Sequence, residues 1–212
     1  MNDLMGYRKY TIRREMQDGR NLSWKSVGLN EKAKVVCDTC NSGWMSVVED
    51  KTKSILGEII SEGKPKAFTT FDVNVISQFA FLKAVVCDHM TARDEPYYTV
   101  EERHSFRKSL SIPNQVRMWF GATLPNHGVF KSADIVMPPS APNRFQLNVF
   151  TYSLGYFVLQ VLGGRWCKKS ARRHTLPPSL SQAPVWIPVS TRLWPLRIPD
   201  DADQRFGLMP IT

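Results

Sequence analysis

From Ser42 onward, apolar residues recur at helical spacing. Trp44, Val48, Ile55 and Ile59 share one face, with Val47, Leu56 and Ile60 beside them. This predicts an amphipathic helix that ends at Gly63-Lys64-Pro65, a glycine cap followed by a proline that cannot continue it. Ser46-x-x-Glu49 has the spacing of a capping box, and Ser42 is an equally good start. A second helix is predicted from near Asp72 to about Met90. Ile76, Phe79, Ala80, Leu82, Val85 and Val86 make it apolar on most sides, which marks a core helix. Thr99-x-x-Glu102 opens a third, which runs to Leu110 before Ile112-Pro113 closes it.

After Pro113 the pattern turns strand-like. The runs 115–124, 128–137, 144–152 and 155–162 are rich in Val, Phe, Tyr, Leu and Trp. The last two alternate and are joined by Ser153-Leu154-Gly155, which predicts a hairpin there. Upstream, Tyr7, Tyr10 and Ile12 alternate as in a short strand within a polar, basic leader, and Ala33 to Val36 is a strand-like run leading into Cys37. The proline-rich tail from Pro177 to Pro199, with Trp186 and Trp194, reads as an extended strap packed on the core by its tryptophans, with a flexible tail as the alternative. Helices followed by strands make the chain α+β.

Composition narrows the function. Lys+Arg 28 against Asp+Glu 19 leaves +9, and 42% hydrophobic residues suffice for a core in a 212-residue chain. The longest nearly apolar stretch, Phe79 to Cys87, contains Lys83 and is too short to span a bilayer. The N-terminus lacks the apolar core of a signal peptide. A membrane or secreted protein is therefore not expected, and a cytoplasmic setting is. The basic balance calls for a polyanion, with nucleic acid the commonest. Arg165, Lys168, Lys169, Arg172 and Arg173 surround Trp166, the mixture found where a phosphate track meets a stacking ring. A solvated loop has the same composition. Arg8 to Arg14 is a weaker version of that signal, and Lys83 reads as a snorkelling side chain.

Of the four cysteines, Cys87 reads as a small core residue, whereas Cys37 and Cys40 form a C-x-x-C. Two cysteines on a turn leading into a helix suit zinc, and this segment offers two of the four ligands a structural zinc needs. A thioredoxin-like redox pair would call for a βαβ context, and Asp-Thr is not its usual central dipeptide. Plain unliganded thiols are the remaining alternative.

The run CDTCNSGWMSVVE, residues 37–49, resembles the second half of the HNH, or His-Me finger, endonuclease motif of a group of bacterial and phage proteins. The embedded Lys83, the aromatic stretch from Tyr152 to Leu162 and the Trp/Pro-rich tail resemble that group more loosely. The resemblance implies a ββα-metal zinc knuckle, here its second half, within residues 1–63. Residues 64–212 would form an α+β domain with a helical segment and an antiparallel β region. It implies that Cys37 and Cys40 are structural Zn²⁺ ligands and that Asn41 holds or positions a catalytic divalent ion, usually Mg²⁺. The activity implied is phosphodiester hydrolysis of DNA, in which a histidine activates a water and the ion offsets the charge that develops on phosphate. The sequence departs from the motif upstream. His89, His104, His127 and His174 all follow Cys37, and residues 1–36 hold neither E-H-x-x-P nor a first C-x-x-C. Hydrolysis is therefore expected to be impaired, and a non-catalytic nucleic-acid-binding or zinc-dependent interaction protein is the alternative. His89 and His174 are the candidate substitutes for the base.

Overall fold

The computed structural model describes residues 9–15, 20–27, 35–89, 96–136, 145–166 and 194–196. Strands β1 (Lys9–Glu15) and β2 (Asn21–Val27) form an antiparallel pair, in register from Lys9 opposite Val27 to Glu15 opposite Asn21. A single helical turn, α1 (Asp38–Cys40), passes through a π-type turn (Asn41–Met45) into α2 (Ser46–Glu62). Helices α3 (Thr70–Asp88) and α4 (Val100–Ser109) follow. Two long antiparallel strands, β3 (Val116–Val136) and β4 (Phe145–Trp166), come next, and β5 (Trp194–Leu196) pairs with β3 at Met118–Phe120. The chain is α+β.

Capping boxes open both α3 and α4; the one at Thr99 was read from the sequence, and the one at Thr69 was not. Thr69 and Asp72 form a complete capping box: the Thr69 hydroxyl accepts from the Asp72 N–H, and the Asp72 carboxylate accepts from the Thr69 N–H at 2.9 Å. Thr99 and Glu102 do the same for α4. Gly63 ends α2 with φ 69°, its N–H donating to the Ile59 carbonyl at 3.0 Å. The Ser46/Glu49 box does not form. The turns over residues 38–45, kinked at Gly43, precede Ser46, so the Ser46 N–H finds the Gly43 carbonyl, and the Ser46 hydroxyl turns to Asp50 instead.

Three expectations are corrected. Val35 and Val36 lie in a turn rather than a strand, and residues 33–34 fall outside the described residues. The four short strands are two long ones, and Ser153-Leu154-Gly155 is no hairpin turn but the interior of β4. Gly155 adopts φ +57° at a register shift opposite Asn126. It is glycine for space as well as conformation, because a Cβ there would stand 1.8 Å from the Ile60 carbonyl oxygen at the end of α2. The shift also exchanges the faces of β4. Before it, Phe150 and Leu154 face the helices; after it, Phe157, Leu159 and Val161 do so. The strand bends enough for Gln160 Nε2 to donate to Thr151 Oγ1 of the same strand at 3.1 Å.

Helices α2 and α3 pack on this bent sheet, and their core is continuous from Met45 through Leu56, Ile76 and Phe79 to Leu159. The inner side of the bend is also closed, with Trp119, Val149 and Val158 at most 2% exposed. α3 is the one described helix long and apolar enough to cross a membrane, yet most of its side chains are buried in this core. Of the predicted strap, β5 is seen as an extended edge strand, and Trp186 lies outside the described residues.

Candidate functional site

Cys37 has extended backbone (ψ 153°), and its carbonyl accepts from both the Cys40 N–H (3.1 Å) and the Asn41 N–H (3.0 Å). This tight turn sets the two thiols side by side. Cys37 is exposed and Cys40 is 9% exposed, at the edge of the core, and neither is in a disulfide. Hydrogen bonding from the Cys40 side chain, and then from its backbone, holds the Cys37 thiol below the ordinary thiol range. The positive charge of Arg107 adds to the effect, and partial desolvation opposes it. Two adjacent sulfurs, that of Cys37 more acidic than an ordinary thiol, fit two corners of a tetrahedral zinc site. Among the described residues no group of three or more His, Cys, Asp or Glu is gathered to hold a metal ion. Asn41 follows directly, exposed, with its side chain at the surface of the turn.

Packing against α4 fixes this turn. The Trp44 indole meets the Phe106 ring edge-on at 5.7 Å between centroids, and Phe106 meets Phe81 of α3 at 4.8 Å. Such edge-on aromatic pairs contribute about 1 kcal/mol each beyond their burial. Trp44 is partly buried, and its indole N–H is covered without a partner among the described residues. Phe106 is the buried anchor of α4, which places the next residue, Arg107, where its charge reaches Cys37.

The basic segment is only partly in view. Arg165 closes β4 against α4: its Nη2 donates to Glu102 Oε2 at 2.6 Å, and its guanidinium lies 4.8 Å above the Tyr97 ring. Glu102 thereby holds three partners, since it also caps Thr99 and accepts from the Gln115 amide. The sequence offered Arg165 as a phosphate contact, and the fold gives it a carboxylate partner within the chain. Trp166 ends β4; Lys168, Lys169, Arg172, Arg173 and His174 lie outside the described residues.

The other sequence candidates have local partners. Lys83 bonds Glu49 across α2 and α3 and stands 5.3 Å over the Phe79 ring, a part-buried ion pair in place of a snorkelling cation. Tyr152 lies beneath them, its hydroxyl pushed well above the usual phenol range by burial and then by the Glu49 charge. His89 caps the end of α3. Burial holds its imidazole below the ordinary range, the Arg103 charge adds to that, and Asp88 opposes it.

One surface went unread in the sequence. α4 carries Arg103-His104-Ser105-Phe106-Arg107-Lys108-Ser109, seven residues with no carboxylate, and His104, Arg107 and Lys108 are exposed. The signal was the change from Glu101-Glu102 to this run, within a helix recognised only by its capping box. No protein-family model matches the chain, and neither a curated protein nor a solved structure matches it.

Proposed function

We propose that this chain is an HNH endonuclease-like DNA-binding protein. In this reading Cys37 and Cys40 supply two thiolates to a structural zinc, and Asn41 borders the position of a catalytic divalent ion. The observation that carries the reading is the C-x-x-C turn itself. Two hydrogen-bonded thiols, one with thiolate character, open directly into Asn41 and a helical run anchored by Trp44. The +9 charge supplies the attraction to a polyanion. Bound zinc would fix the turn; a divalent ion beside Asn41 would offset phosphate charge. The Asn41 amide can orient such an ion but cannot accept the proton of an attacking water, so this chain binds DNA more readily than it cuts it. Loss of a positioned base typically costs 10²–10⁴-fold.

Metal analysis and DNA retention test this together. Zinc should be held weakly, because two thiolates are half a structural site, and should be lost in Cys37→Ser or Cys40→Ser. Duplex DNA should be retained at low salt and released as salt rises, with little plasmid nicking in Mg²⁺. Tightly held zinc unaffected by either substitution, or no DNA binding at low salt, would overturn the reading. Robust nicking abolished by His89→Ala or His174→Ala would show instead that a downstream histidine serves as base.

A further inference from the structure

The C-x-x-C turn does not stand alone at its surface. Phe106 turns inward against Trp44, and the residue after it, the exposed Arg107, lies near enough for its charge to act on Cys37. In a helix the positions opposite Phe106 are those of Val100, Glu101, His104, Arg107 and Lys108. All five are exposed. Arg103 stands at the edge of this stripe, its guanidinium fixed by donation to the Tyr98 carbonyl at 2.7 Å. The two carboxylates of α4 are both in its first turn. Glu102 is turned inward to Arg165, Gln115 and Thr99, and Glu101 lies at the far end of the stripe, its carboxyl held in the charged form. Past its first turn α4 thus carries Arg103, Arg107 and Lys108 and no carboxylate. His104 and Lys108 are one turn apart, about 6 Å along the axis.

We infer that the outward face of α4, carrying His104, Arg107 and Lys108 and flanked by Arg103, is a track for the phosphate backbone of the nucleic acid bound beside the C-x-x-C turn. The inference rests on the DNA-binding reading and adds to it the surface that makes the contact. Contacts to phosphate from this face contribute affinity and orientation and carry no sequence information. Arg165 cannot share this role without giving up Glu102, which leaves α4 as the described cationic surface next to the turn. Cations in the last turn of a helix also favour the helix itself. A test must therefore read binding separately from folding.

The experiment is fluorescence anisotropy of the full chain with a short duplex of arbitrary sequence, over a series of salt concentrations, with thermal melts of every variant. The double variant Arg107→Gln/Lys108→Gln should weaken binding and lower the slope of log affinity against log salt by about 2, since each phosphate contact contributes about 0.9. Glu101→Gln, which removes the carboxylate from the stripe, should strengthen binding and keeps the test open if the double variant melts early. Lys64→Gln, whose lysine pairs with Glu62 at the end of α2, serves as the comparison for a generic loss of charge. Wild-type binding with an unchanged slope in the double variant would overturn the inference and leave the DNA-binding reading intact, as would an equal change in Lys64→Gln. Failure of the wild-type chain to bind any duplex would remove the reading and the inference with it.

Discussion

The bend of the long hairpin at Gly155 and the passage from turn to helix at Gly43 are both kinks built on glycine, yet their surroundings differ completely. At Gly155 a Cβ would collide with the Ile60 carbonyl at 1.8 Å, and the backbone is left-handed. At Gly43 the backbone leaves the helical region (φ −95°, ψ −117°), but beyond its own stretch of chain no described atom lies within 4 Å of an added Cβ. The first kink is enforced by tertiary packing, because α2 and β4 can approach only over a missing side chain. The second faces open space, and no neighbour in the fold dictates its residue. The bent sheet thus holds the fold, while the segment from Cys37 to Trp44 buries Cys40 and packs Trp44 on α4 but leaves Cys37, Asn41 and Ser42 exposed.

The sharpest way to break this contrast is Gly155→Ala. It should destabilise by about 4 kcal/mol, since overpacking against a backbone carbonyl is joined by a strained left-handed conformation. Chemical denaturation reads it, and a loss under about 1 kcal/mol would mean that the two elements do not meet as described. Glu102→Ala comes next, at about 2 kcal/mol, because one carboxylate caps α4 and ties it to Arg165 and Gln115. If α4 holds the C-x-x-C turn in place, the same variant should also speed Cys40 alkylation; unchanged alkylation would separate the turn from α4. The smallest effect belongs to Gly43→Ala, which should stay within about 1 kcal/mol, as for an open surface position. A loss as large as that at Gly155 would erase the distinction between the two kinks.

Local chemistry made much of the helical part readable. Thr99/Glu102 and Gly63 each act within a few residues, so their meaning does not depend on the rest of the fold; the Thr69/Asp72 box is as local but went unread. The C-x-x-C spacing was legible for the same reason, since the turn is closed by hydrogen bonds to the carbonyl of Cys37 itself. Ser46-x-x-Glu49 had the same form and failed, because its N–H groups were already served by the preceding turn.

What the sequence determined alone was the class of the chain, the ends of α3 and α4, the end of α2, and the pairing of Cys37 with Cys40, all products of short-range rules. Tertiary structure decided the rest. Gly155 reads as a turn glycine until the end of α2 occupies the space its side chain would need. Arg165 reads as free cationic charge until Glu102, 63 residues away, takes it. The charge of Arg107 reaches Cys37 only because Phe106, the residue before it, meets Trp44. Each of these depends on contacts between distant residues, and periodicity or spacing along the chain carries no record of which distant residue will arrive.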